Sequence, residues 1–323
     1  MSLIFRRLHS TTSASSIAAS FLSTLKSRPP LIRTQFLDSN QLQKLGATLP
    51  YPSTSITAGD KVYIPPCHHL VYFTPADVEK ELGRDGSDTV FNPPKPFTRR
   101  MWAGGELEWV RDNRLCVGQE VKERTLMKSV EAKVTKGGEE MLVVRVDKSF
   151  ENERGQALLD RRNWIFRREI NQNNPLSLQP LPPRVPFPTA THVRDIAHTH
   201  ISLFRFSALT FNAHKIHFNR EWCREVEGHR DCVVHGPLNL IHMVDFWGEV
   251  MSQTRGLPLQ ERSKSDERDG IFVPKRVTYR ATSPLYVGET YRILMEEEGE
   301  KVMGVKIVDG FGRVGMLGRI ERW

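Results

Sequence analysis

The 323-residue sequence predicts an α+β fold in which each of two halves sets one antiparallel sheet against a helix. Three observations carry that expectation. From Arg99 the chain alternates or runs apolar in short stretches separated by Asp112-Asn113, Lys136-Gly137-Gly138 and Arg154-Gly155, a pattern of antiparallel strands and turns. Six prolines between Asn171 and Pro188 then interrupt it with neither helical nor strand periodicity. On either side, short strings recur in common order. Leu115-Cys116-Val117-Gly118-Gln119-Glu120 returns as Leu285-Tyr286-Val287-Gly288-Glu289-Thr290. Val144-Arg145-Val146-Asp147, followed by Gly155 and Trp164, returns as Val305 to Asp309, Gly312 and Trp323.

The first acidic residue is Asp38, and ahead of it stand eight serines and five basic residues, Arg6, Arg7, Lys26, Arg28 and Arg33. An Arg- and Ser-rich, acid-free opening is the composition of a mitochondrial presequence, and the polar 10–16 stretch breaks any secretory apolar core. Residues 1–40 are expected to be a transit peptide cleaved between Arg28 and Gln41, with a matrix location for the mature chain. Removing those five cations would lower the formal charge from +8 to +3. So modest a surplus argues against a nucleic-acid binder and suits an acidic thioester carrier or coenzyme phosphates. No run approaches the roughly 20 apolar residues of a spanning helix.

Residues 41–170 form the expected N-terminal unit. Apolar residues at helical spacing over 41–53 end at Pro50 and Pro52. Thr74-Pro75-Ala76-Asp77 reads as a helix start leading into DVEKEL. Residues 83–97, polar and Pro-rich, read as a surface loop. The strands follow from Arg99, then the linker over 171–190, and residues 191–323 form the second unit. There, Leu238, Ile241, Val244, Asp245, Gly248 and Met251 recur at spacings of three and four, which predicts a sheet-facing helix from Pro237 to about Gln253. Asp245 on that stripe reads as a structural carboxylate. Cys67, Cys116, Cys223 and Cys232 form no CxxC pair and no zinc-ligand spacing, so they read as reduced and structural, and no metal is expected.

The chemistry-bearing stretch is FRFSALTFNAHKIH, over 204–217, with His235-Gly236 downstream at the start of the apolar helix. Asn212 and His217 lie five residues apart. Such side chains can handle a proton, while a glycine N–H at a positive helix end can bind a developing oxyanion. Each residue also has a plainer reading: Asn212 as a turn residue, His217 as a hydrogen-bonded loop histidine, Gly236 as a close-packing position.

This stretch resembles the active-site segment of the R-specific enoyl-thioester hydratases, the MaoC-like branch of the hotdog fold. Their pattern is aromatic, aliphatic, small, then Asp-x-Asn-Pro-aliphatic-His. Here Phe206, Leu209 and Thr210 lead in, Asn212 stands in the Asp position, His214 in the Asn position and Lys215 in the Pro position. Ile216 and His217 complete it, and His235-Gly236 matches the downstream His-Gly. FSALTFNAHKIH with HGPL is most similar to the two-hotdog subfamily that carries this Asn, in which stand the fungal hydroxyacyl-thioester dehydratases type 2 and the mesaconyl- and itaconyl-coenzyme A hydratases.

The resemblance implies a double hotdog, two antiparallel sheets each wrapped on a central helix, with a silent N-terminal half whose His68-His69 replaces His235-Gly236. It implies a (3R)-3-hydroxyacyl-thioester dehydratase of mitochondrial fatty acid synthesis, acting without a cofactor on acyl-carrier-protein or coenzyme A thioesters. His217 is expected to be the base, Gly236 the oxyanion donor and Asn212 a positioning residue. His214 and His235 would support the loop and the helix turn. Trp102, Gly104 and Gly105 would wall the substrate tunnel, the glycines either letting the substrate pass close to backbone or forming a tight bulge. Two further readings stay open: a mesaconyl- or itaconyl-coenzyme A hydratase, and a non-catalytic thioester-binding subunit. The chain is expected as a monomeric pseudo-dimer or a homodimer.

Overall fold

The computed structural model describes residues 13–51, 62–171, 173–254, 256 and 273–323. Its strands are β1 (Leu31–Phe36), β2 (Arg99–Trp109), β3 (Glu120–Val134), β4 (Glu140–Asn152), β5 (Gly155–Arg167), β6 (His192–Ala197), β7 (Arg276–Ala281), β8 (Thr290–Glu297), β9 (Val302–Asp309) and β10 (Val314–Glu321). The helices are α1 (Ala14–Lys26), α2 (Ser39–Gly46), α3 (His200–Leu209) and α4 (Gly236–Thr254).

Alternation along these strands gives one antiparallel sheet in the order β1-β3-β4-β5-β2-β7-β10-β9-β8-β6. The order is the same read from either end when β1–β5 are exchanged for β6–β10, so the expected duplication is the architecture of the sheet. The repeated strings occupy equivalent turns: Cys116 bridges Tyr63 and Tyr286 bridges Val233, and Gly118 and Gly288 both take positive φ, +90° and +75°. Trp164 and Trp323 are not equivalent, because Trp164 pairs inside β5 whereas Trp323 lies beyond the end of β10.

The halves differ in what covers the inner face. In the C-terminal half α4 does so, burying Leu238, Ile241, Val244, Gly248 and Met251. Asp245 accepts from His68 Nε2 at 3.2 Å, joining α4 to the other half as a structural carboxylate. In the N-terminal half the place of α4 is reduced to one 3₁₀ turn, His68–Val71. Most of the remaining face is taken by α1, whose Ala14, Ile17, Ala18, Phe21 and Leu25 pack on Val130, Leu142, Val144, Val146, Trp164 and Phe166.

Two expectations need correction here. Residues 14–36 belong to the folded N-terminal half, since β1 pairs along its length with β3 (Leu31↔Thr125 to Phe36↔Glu120); residues 1–12 lie outside the described residues. The helix expected after Thr74 is a single 3₁₀ turn, Glu79–Glu81, with no buried residue; so short and charged a segment has no apolar face to offset the cost of nucleation. The proline-rich segment runs against the C-terminal half: Leu176 N–H donates to Val226 O and Val185 N–H to Gly310 O. No helix among the described residues is long and apolar enough to cross a membrane.

Candidate active site

A cavity of about 1070 Å³ opens between the halves, and Trp102, Asn212, His214, His217, His235 and Gly236 all line it. Helix α3 delivers the motif. A capping box from Thr199 and Ser202 starts it, and the loop after Leu209 doubles back so that Asn212 N–H donates to Ser207 O at 2.9 Å. Asn212 Oδ1 accepts from His214 N–H at 3.1 Å, an Asx turn that leaves the Nδ2 amide as the group available to a ligand.

His217 sits in a 3₁₀ turn and hydrogen-bonds Val233 O through Nδ1 at 2.7 Å. A carbonyl only accepts, so Nδ1 carries the proton and Nε2 keeps its lone pair. Burial first, then the neighbouring His214, pushes its pKa down to about 3, so the ring is neutral at physiological pH. The His235 ring stacks on it with centroids 3.6 Å apart and meets Ser207 Oγ through Nε2 at 2.9 Å.

Gly236 opens α4, where first-turn amides have no intrahelical acceptor. A Cβ at this position would lie 2.8 Å from Trp102 Cδ1 and 2.9 Å from Cγ, so only glycine lets the indole and the helix start meet. The helix N-terminus and this N–H together suit an anionic oxygen.

Gly104 and Gly105 do not line the cavity, which corrects their expected role. They lie at a bulge after Trp102 and in the seam where β2 pairs with β7 (Gly104↔Arg280, Gly105↔Tyr279). A Cβ would come within 2.4 Å of Tyr279 O at residue 104 and within 2.2 Å of Arg161 O at residue 105. The bulge reading is the one that holds.

Sequence reasoning missed the loop over 83–91. Instead of an outer surface loop, it lines the cavity through Gly83, Arg84, Gly86, Val90 and Phe91 and holds the motif from the other half. Asp85 Oδ2 lies 3.3 Å from His214 Nε2, and Asp85 O accepts from Lys215 N–H at 2.7 Å. Burial opposes ionisation of Asp85, yet His214 and Ser87 hold its carboxyl well below the usual carboxylate range. Gly86 takes a φ of +82° where a Cβ would lie 2.0 Å from Ala213 O, so the contact requires glycine.

His200, Asp231 and Cys232 gather with donor atoms within 4.8 Å. Asp231 is committed to Arg220 at 3.2 Å and to the Cys232 N–H at 2.8 Å, and burial pushes the Cys232 thiol up. All four cysteines are buried, and none of them forms a disulfide.

The chain is 28% identical over 258 residues to mesaconyl-C(4)-CoA hydratase of Chloroflexus aurantiacus, covering 79% of this chain and 82% of that one. It is 27% identical over 296 residues to the mitochondrial hydroxyacyl-thioester dehydratase type 2 of Schizosaccharomyces pombe, covering 83% and 91%. Among solved structures, a MaoC-like dehydratase from Phytophthora capsici shares the fold at a TM-score of 0.60 and 15% identity, covering 93% of this chain and 98% of that one. The double hotdog is therefore the fold. The family model of hydroxyacyl-thioester dehydratase type 2 matches residues 67–287, well over half of the chain. The chain belongs to the hydroxyacyl-thioester dehydratase type 2 family and is a hydro-lyase.

Proposed function

We propose that the C-terminal half interconverts (3R)-3-hydroxyacyl and trans-2-enoyl thioesters by removing or adding one water. His217 Nε2 takes a proton from water as the oxygen bonds to carbon 3. The electron pair of the double bond moves toward the thioester, whose oxygen gains charge and is held by the Gly236 N–H and the start of α4. Asn212 cannot titrate, so its amide positions water or substrate, and His217 returns its proton to carbon 2. Dehydration runs the same path backwards, and no co-reactant is needed.

The observation that carries the reading is the fixed tautomer of His217, with Nδ1 spent on Val233 O, in the same cavity wall as the glycine-opened helix. The N-terminal half, with a 3₁₀ turn in place of α4, acts as wall and support. Mitochondrial fatty acid synthesis on acyl-carrier-protein thioesters in the matrix is supported by the mitochondrial relative and by the acid-free opening of the chain. A cut between Arg28 and Gln41 would remove α1, and past Leu31 part or all of β1 as well, so on this reading processing would lie ahead of Ala14.

The test is loss of enoyl absorbance when the chain meets crotonyl-coenzyme A, with His217→Ala alongside. Hydration that disappears in the variant supports the reading, and silence on every thioester favours a binding subunit. A second reading, hydration of a dicarboxylic thioester such as mesaconyl-coenzyme A, is favoured by the cations in the cavity wall.

A further inference from the structure

The inner face of the N-terminal half has two zones. One is apolar, where Val130, Leu142, Val144, Val146, Trp164 and Phe166 form one buried cluster with α1. Beyond it the same face is charged. Glu123, Lys148 and Asp160 are buried there, with Lys148 Nζ donating to Glu123 Oε1 at 2.8 Å and Arg162 Nη2 to Asp160 Oδ2 at 2.6 Å. Methylenes cannot replace the hydrogen bonds of such pairs, and a buried charge left without its partner is strongly destabilising. An apolar acyl chain entering this half therefore runs along the first zone.

The apolar zone meets the cavity through three aromatic residues. Trp164 belongs to the cluster that α1 completes, Phe91 and Trp102 pack against that cluster, and all three line the cavity. They form one wall: the Phe91 and Trp164 ring centroids lie 5.7 Å apart, and Trp164 stands opposite Trp102 in the register of β5 and β2. None of the described residues of α1 lines the cavity, so the helix stands behind this wall. The wall begins at the reacting centre, because Trp102 is the side chain that a Cβ on Gly236 would strike. Phe204, Phe211 and Phe218, exposed and also lining the cavity, mark its mouth. The buried Trp164 marks its inner end. A carrier stays at the mouth, and the acyl tail points at the aromatic wall.

We propose that α1 is the back of the acyl pocket and sets the length of acyl chain that the enzyme accepts, favouring short enoyl thioesters over long ones. The assignment rests on the hydro-lyase reading of the same cavity and names what limits its substrate. One face of α1 is buried, through Ala14, Ile17, Ala18, Phe21 and Leu25, while Ser16, Ala19, Ser20 and Ser23 face outward. Close packing of that face leaves Phe91, Trp102 and Trp164 no room to retreat before a longer tail. A void made in it is filled in part by the side chains around it, and the wall yields toward α1.

The test compares crotonyl-coenzyme A with trans-2-dodecenoyl-coenzyme A, which share the reacting atoms and differ only in the length of the tail. The full chain is expected to show at least a tenfold higher kcat/KM for the crotonyl thioester, and Phe21→Ala to narrow that ratio at least fivefold. Because Phe21→Ala also lowers stability, Phe21→Leu, which removes less volume, is the second variant; its ratio is expected to move the same way by a smaller factor. A purely structural loss lowers the activity on both thioesters alike and leaves the ratio where it was. Equal or better use of the dodecenoyl thioester by the unaltered chain, or a ratio unmoved in the variants, overturns the proposal. Failure of the unaltered chain to hydrate either thioester strikes the hydro-lyase reading itself. In that event calorimetric binding decides: a preference for the crotonyl thioester that narrows in Phe21→Leu upholds the pocket, and a preference unchanged by the substitution overturns it.

Discussion

Gly236→Ala tests the oxyanion assignment most directly. The new methyl carbon would lie 2.8, 2.9 and 3.2 Å from Trp102 Cδ1, Cγ and Cβ, and carbon atoms rest at about 3.5–4.0 Å. Either the indole or the start of α4 must give by most of an ångström. The indole has little freedom: it faces Tyr279 with centroids 6.1 Å apart, lies beneath Arg162 and sits opposite Trp164 in the strand register. The helix start therefore takes part of the shift, and the Gly236 N–H moves with it. Losing one oxyanion donor costs on the order of 10²–10³ in kcat, and overpacking a core costs roughly 1–3 kcal/mol of stability. The expected result is a kcat for crotonyl-coenzyme A hydration reduced at least 100-fold, with a measurable drop in urea midpoint. A double variant, Gly236→Ala with Trp102→Ala, removes the clash and should recover much of the stability; the coupling between the sites measures the contact. Wild-type kcat in a folded Gly236→Ala chain would refute the assignment.

Asn212→Asp should retain more kcat than His217→Ala, because Asn212 Oδ1 is engaged by the His214 N–H whereas His217 is the proposed base; equal, total loss in both would overturn that division. Folding stability should decline as pH falls from about 6.5 toward 4. His198, pulled down to about 4 by burial, His217, pulled down to about 3, and His235 and His242, both well below the ordinary value, are neutral when folded and take up protons when unfolded. Each loses up to about 1.4 kcal/mol per pH unit in that window, and a flat urea midpoint from pH 7 to 4.5 would contradict it. Phe21→Ala in the full chain should cost about 3 kcal/mol or more, since Phe21 is buried on the inner face; an unchanged midpoint would show that α1 adds nothing to the fold.

What was legible in the sequence follows from which patterns are one-dimensional. Turn glycines 118 and 288, the apolar stripe of α4 and the string from Phe206 to His217 are local, and all stand where they were expected. Glu123, Lys148 and Arg162 were not legible as inward groups. In EVKERTLMKS charges fall on both faces, so polarity does not tell which side is buried. Asp85 was missed because its partner, His214, is 129 positions away. Residues 14–26 read as part of a presequence because the opening of the chain is Arg- and Ser-rich and acid-free, yet Ile17, Phe21 and Leu25 recur every four residues, and the same stripe fits a sheet face.

The seam between β2 and β7 has a consequence for how such proteins can change. A duplicated gene usually leaves one copy free to drift or to be lost. Here Gly104 and Gly105 give the joint no clearance, because any side chain would strike Tyr279 or Arg161, and Asp85 of one copy braces His214 of the other. Chimeras spliced through the proline-rich strap would carry two seam strands that had never been selected together. The N-terminal copy is thus inherited with its partner as one unit.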